Sequence, residues 1–115
     1  MKLLYLLSIL CLFTSCGSSN ELYSWGKYDK TVYQFYSDPG DKSTLELKQS
    51  CIEMIRKAKK KKKPIPPGIC ADYGYLLLKD GFQDVAQKYF EMEVTLYPES
   101  TVFIQQILKQ TNESN

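Results

Sequence analysis

The chain has 115 residues, with 15 Lys and Arg against 13 Asp and Glu, so its formal charge of +2 singles out no partner. At 43% hydrophobic and 24% charged residues it has the composition of one small globular domain. It has no His, which removes the commonest general base and the commonest transition-metal ligand.

The chain opens with Lys2, an apolar run from Leu3 to Phe13, and the small polar pair Thr14 and Ser15. A charged start, a short apolar core and small residues before a cut site describe a secretory signal at residues 1–15. The run is too short for a membrane span, which takes about 20 apolar residues. Phe13-Thr14-Ser15-Cys16 resembles a bacterial lipobox, in which Cys16 becomes the lipidated first residue of the mature chain. The expected membrane partner is therefore reached through a covalent lipid on Cys16, with no other cofactor. Residues 16–21 form a short tether, in which Gly17, Ser18, Ser19 and Asn20 favour flexibility. No Asp follows Cys16, and the tether lacks the acidic run that marks some lipoproteins for surface display. The outer membrane, periplasmic side, is the location these features predict.

In the segment from Leu22 to Tyr36, Trp25, Tyr28, Val32, Phe35 and Tyr36 recur near helical spacing, while Tyr23 and Tyr33 fall off that stripe. Tyr23, Trp25, Tyr28 and Tyr33 are candidate partner contacts, since Trp and Tyr dominate interface energetics. Packing of Trp25, Tyr28 and Tyr36 as core ranks ahead of contact, because large aromatics are buried on average. Ser37 to Lys42 reads as a turn from its Asp-Pro-Gly chemistry. Ser43 and Glu46 have the spacing of a capping box, predicting a helix from 43 to about 62 with Leu45, Ile52 and Ile55 as its stripe, widened by Cys51, Met54 and Ala58. That helix ends in Arg56, Lys57, Ala58 and then Lys59, Lys60, Lys61, Lys62 and Lys63. Cations suit a helix C-terminus, where carbonyls point outward unpaired. The five lysines at 59–63 are also candidates for contact with anionic phosphates of lipid or glycan; an exported chain rarely meets nucleic acid. Pro64, Pro66 and Pro67 stop the helix.

From Pro67 the pattern predicts helix, turn, helix, and the start of another helix. Cys70, Tyr73, Gly74 and Leu77 share a face of the first; Gly81 ends it as a left-handed cap residue. Phe82, Val85, Ala86, Tyr89 and Phe90 line the second, and Pro98 separates it from a last helix with Val102, Phe103, Ile104, Ile107 and Leu108. Gly74, Gly81, Ala86, Phe90 and Pro98 have the spacing of a tetratricopeptide-like unit, with small residues where two helices cross and an aromatic filling the space above them. Cys70, Tyr73 and Glu93 depart from that pattern. The predicted class is all-α, a tetratricopeptide-like helix pair with flanking helices in a small bundle, spanning residues 22–111 and followed by a polar tail at 112–115. Cys51 and Cys70 are left either to pair, as exported thiols can, or to be buried as small apolar groups.

The lipobox Cys16, the block Tyr23 to Tyr28 with Tyr33 after it, Pro66 to Gly68, Gly74, Ala86, Phe90, Glu93 and Tyr97 to Ser100 together resemble a family of small bacterial lipoproteins, domain of unknown function 4810. The resemblance implies an envelope lipoprotein with no known enzymatic activity. Members tend to be encoded beside a curli-secretion-channel-type lipoprotein, so it also implies an accessory or assembly role with such a partner. The residues themselves offer no catalytic constellation. Glu91 and Glu93 point to different helix faces, Asp80 and Asp84 lie around a turn, and a Cys70 nucleophile has no His as base. A non-catalytic interaction module is the expected function, with an anionic lipid or glycan binder as the alternative.

Overall fold

The computed structural model describes residues 22, 23 and 25–113. The signal sequence and the lipidated Cys16 expected above lie outside the described residues. Five α-helices are found among them: α1 (Tyr28–Ser37), α2 (Asp41–Lys61), α3 (Ile69–Lys79), α4 (Gln83–Leu96) and α5 (Thr101–Glu113), with a single 3-10 turn at Pro98–Ser100 before α5. The chain is thus all-α as expected, and α5 runs two residues past the predicted end of the domain.

Short turns fold α1 against α2 and α3 against α4, and α2 packs on α3. Successive helices run in opposite directions, which gives the bundle two ends. One, the basal end, gathers residues 22–27, the end of α2 with the loop to Gly68, and the exit from α4. The other, the distal end, gathers the α1–α2 and α3–α4 turns. The 21 residues of α2 separate these ends by about 30 Å at 1.5 Å per residue.

Two apolar clusters hold the bundle together. Leu47, Cys51, Met54, Ile55 and Ala58 of α2 meet Ile65, Ile69, Cys70 and Leu76, with Tyr28, Val32 and Phe35 of α1 and Tyr73, Tyr89 and Met92 packed against them. Ala71, Ala86, Phe90, Ile104 and Ile107 form the second cluster. The buried stripe of α2 therefore differs from the expected one, since Leu45 and Ile52 are exposed. Leu47, Cys51, Met54, Ile55 and Ala58 follow a 3–4 residue spacing that leaves Leu45 and Ile52 on the solvent side. Phe82, just before α4, and Val85 on it were expected to line that helix and are exposed, as are Val102 and Phe103 on α5. Cys51 and Cys70 are both free and fully buried, and so act as small apolar groups.

The start of α2 also differs in register. Gly40 stands at the N-cap and Ser43 at the third helical position, where its hydroxyl accepts the Gly40 N–H at 3.0 Å. The same hydroxyl donates to the Asp38 carbonyl at 2.8 Å. Ser43 thus fills the position that Glu or Gln usually takes in a capping box. At the other end α2 stops before the prolines. Lys62 adopts a left-handed conformation (φ 52°), with its N–H on Lys59 O and the Lys63 N–H on Ala58 O at 2.9 Å. This is a Schellman turn with Lys where Gly is usual. The same turn closes α3 with Gly81 (φ +87°) and the Phe82 N–H on Leu77 O at 3.0 Å, as the sequence predicted.

Gly74, Ala86 and Phe90 meet at the crossing of α3 and α4. A methyl group placed on Gly74 would lie 2.8 and 2.9 Å from two Phe90 ring carbons and 3.2 Å from the Ala86 carbonyl oxygen. Only a hydrogen fits there, since carbon–carbon contact is optimal at about 3.5–4.0 Å.

Candidate functional site

The four candidate contact aromatics do not form one patch. Five residues along α1 rotate the chain by about 140°, so Tyr28 and Tyr33 leave opposite flanks of the helix. Tyr28 turns inward, where its hydroxyl donates to the Asp72 carboxylate across the α1–α3 interface. Burial, chiefly, and then the Asp72 carboxylate push the Tyr28 hydroxyl well above its usual range. Burial likewise raises the Asp72 carboxyl, while the Tyr28 bond opposes that shift. Tyr28 is thus a donor fixed to a carboxylate, and its ring closes the core. Trp25 stands beside it with ring centroids 6.0 Å apart and is 37% exposed. Tyr23 meets Trp25 edge-on, also at 6.0 Å, and reaches the Tyr97 hydroxyl. These three rings belong to the basal end.

Tyr33 is the outlier, 73% exposed on α1. Tyr36, expected in the core, is 77% exposed. Tyr28, Val32 and Phe35 already occupy the inward face, and Tyr36 lies about 100° away from Phe35. Tyr33 lines an open depression of about 330 Å³ over the α1–α2 turn, with Gln34, Asp38 and Lys42. Tyr36 borders a small apolar hollow of about 60 Å³ shared with Phe35, Leu47 and Tyr75. Lys79 sits 5.6 Å above the Tyr75 ring. The outer flank of the α1–α2 groove is polar, lined by Lys27, Lys30, Glu46 and Glu53. The distal half of α1 therefore presents two large aromatics to solvent, flanked by mixed charge.

The lysines lie at the basal end. Arg56, Lys57 and Lys59 to Lys62 are exposed, and no ion pair among the described residues involves them. The run is interrupted only by buried Ala58.

The carboxyls and thiols considered for chemistry do not converge. Asp80 pairs with Lys48; Asp84 and Glu91 are exposed. The thiols of Cys51 and Cys70 are pushed up to about 12, mainly by burial, and stay protonated at neutral pH. Among the described residues no three His, Cys, Asp or Glu come together to hold a metal ion, and no helix is long and apolar enough to cross a membrane.

Glu93 has an importance the sequence reading missed. It is fully buried, and its carboxyl oxygens accept the Gly68 N–H at 2.7 Å, the Ala71 N–H at 3.4 Å and the Ser100 hydroxyl at 3.3 Å. Gly68 is the N-cap of α3 and has no side chain to cap with, so Glu93 supplies the acceptor from α4. A carboxylate there also meets the positive end of the α3 dipole. Nearby, the Tyr97 hydroxyl donates to Ile65 O at 2.6 Å. Pro66 to Gly68, Glu93 and Tyr97 to Ser100, scattered in sequence, thus form one lock at the basal end. The spacing of Ala86, Phe90 and Glu93 places this Glu on the inward face of α4, which was the available signal.

No curated protein and no solved structure matches the chain. Residues 22–107 match the family model described as Domain of unknown function (DUF4810). That match takes in α1 to α4, the first part of α5 and all residues of the Glu93 lock, and the chain belongs to this family.

Proposed function

We propose that this chain is a lipid-anchored, non-catalytic interaction module of the bacterial outer membrane, facing the periplasm and serving as an assembly accessory to another envelope protein. Cys16, at the end of a signal-like segment, is the lipidation site in this reading. The exposed pair Tyr33 and Tyr36 carries the interaction half of the proposal. Two large aromatics at 73% and 77% exposure, of which Tyr36 meets the Phe35 ring edge-on at 5.3 Å, leave apolar area available to a partner. The crossing of α3 and α4 through Gly74, Ala86 and Phe90 supports a tetratricopeptide-like arrangement, a scaffold whose helix pairs offer grooves to polypeptides. A channel-forming lipoprotein of the same envelope is the partner that the family's gene neighbourhood favours.

The test is capture of the lipidated chain from its own detergent-solubilised envelope, as wild type and as Tyr33→Ser with Tyr36→Ser. Neither side chain is buried, so the double variant retains the fold. Near-stoichiometric recovery of one envelope protein with the wild type, lost with the double variant, is expected. Equal recovery with both chains overturns the assignment of the tyrosine surface.

A further inference from the structure

The end of the domain that receives the tether is also the end that carries the lysines. A methyl group placed on Gly26 would lie 3.6 Å from Lys57 Nζ, which puts the entering chain against the last turns of α2. Tyr23 reaches Tyr97, and Tyr97 in turn holds Ile65, two residues beyond the lysine run. From Cys16 to Leu22 is six residues, a reach of at most about 20 Å fully extended. A lipid on Cys16, as proposed above and on which this inference rests, holds the basal end within that distance of the bilayer.

The charge at this end exceeds what the helix needs. One or two cations satisfy the dipole of a helix C-terminus, yet α2 and the residue after it place Arg56, Lys57, Lys59, Lys60, Lys61 and Lys62 in seven positions. Arg56 and Lys60, like Lys57 and Lys61, stand four apart, where like charges repel. These six cations form no ion pair among the described residues. Beside them Leu22 and Trp25 are exposed, and Trp favours the headgroup level of a membrane.

We infer that the basal end, Arg56 to Lys62 together with Trp25, docks onto an anionic phospholipid leaflet, so that the lipid-tethered domain stands on the membrane with Tyr33 and Tyr36 directed away from it. Acyl chains supply attachment, and the basic end supplies orientation. A lipid anchor joined to a basic patch is a recognised two-part membrane signal. The short tether makes the second contact effectively intramolecular.

Trp25 is the chain's single Trp and reports docking directly. The lipidated full-length mature chain is incorporated into vesicles of phosphatidylcholine, with or without phosphatidylglycerol, that contain brominated acyl chains. Co-sedimentation reports attachment; quenching of Trp25 reports docking. Expected is quenching only with phosphatidylglycerol, lost on moving from about 0.1 M to about 0.5 M salt, where the Debye length falls from about 10 Å to about 4 Å. The variant Lys59→Gln, Lys60→Gln, Lys61→Gln, Lys62→Gln should co-sediment fully yet lose the quenching. At about fivefold per lysine near an anionic surface, the four substitutions together lower its docked-to-undocked ratio by roughly six-hundredfold. Unchanged helicity by far-UV circular dichroism checks that the variant folds.

Co-sedimentation with quenching that ignores lipid charge, or that survives the four substitutions, overturns the docking inference and leaves the lipid anchor standing. Failure to co-sediment at all overturns the anchor itself. Competition of the quenching by a soluble phosphorylated glycan at low concentration would assign the lysines to glycan instead and also overturn docking on phospholipid.

Discussion

Replacing Gly74 with Ala sets two effects against each other. In a helix interior Ala is favoured over Gly by about 1 kcal/mol. The added methyl group, however, meets the Phe90 ring at 2.8 and 2.9 Å and the Ala86 carbonyl at 3.2 Å. Both obstacles are fixed, because Phe90 is buried against Ile104 and Ala86 belongs to the backbone of α4. Overpacking of this kind costs about 1–3 kcal/mol, so Gly74→Ala should destabilise the domain by a net of up to about 2 kcal/mol. With a urea slope of about 1 kcal/mol/M for a domain of this size, the midpoint falls by up to about 2 M. Unfolding followed by far-UV circular dichroism measures it. Phe90→Leu removes the ring atoms that clash. In that background Gly74→Ala should be neutral or stabilising, giving a coupling energy between the two positions. A Gly74→Ala variant that is stabilised by about 1 kcal/mol would show that propensity alone acts and that the crossing is looser than described.

Three further outcomes are expected. Glu93→Gln weakens the lock between α3, α4 and the 3-10 turn by removing charge from bonds to two backbone N–H groups and Ser100. A loss of about 1.5–3 kcal/mol is expected by urea unfolding, against at most about 1 kcal/mol for Ser100→Ala. Lys62→Gly relieves the left-handed backbone that closes α2 and should raise stability by about 1 kcal/mol; no gain would mean that Lys62 is not held in that conformation. Asp72, whose carboxyl is raised by burial, binds its proton more tightly folded than unfolded. Its contribution is therefore greatest below its unfolded value of 3.8 and diminishes as pH rises through the higher folded value. Asp72→Asn, which keeps an acceptor for Tyr28, should gain stability relative to wild type between about pH 3 and pH 7. A gap that stays constant or moves the other way would contradict the burial argument.

The sequence carried the helices best where strong punctuation bounded them. Gly81 and Pro98 place the ends of α3 and α4 correctly, because a left-handed cap and a missing N–H act locally. Gly74, Ala86 and Phe90 also read correctly, since a crossing demands small residues at fixed spacing. The start of α2 was harder. Gly40 has no side chain to mark the N-cap, and Ser43 imitates one three residues on. Apolar residues on both sides of α2 obscured its inward face, which packing against α1 and α3 decides. Tyr36 illustrates the same limit, since beside Phe35 only the neighbouring helices determine which ring turns in. Glu93 looked like an exception to a pattern because its partners are backbone groups 22 and 25 residues away. The lysine run was legible as charge, but its nearness to the tether follows from folded contacts, Gly26 lying against Lys57 and Tyr97 holding Ile65.

The central claim is that the chain lives on a membrane through Cys16. Intact mass spectrometry of the protein purified from its native envelope tests it most directly. The account predicts a chain that begins at Cys16, lacks residues 1–15 and carries a diacylglyceryl group on the Cys16 sulfur. A mature chain that begins elsewhere, or one with Cys16 as a bare thiol, would contradict it.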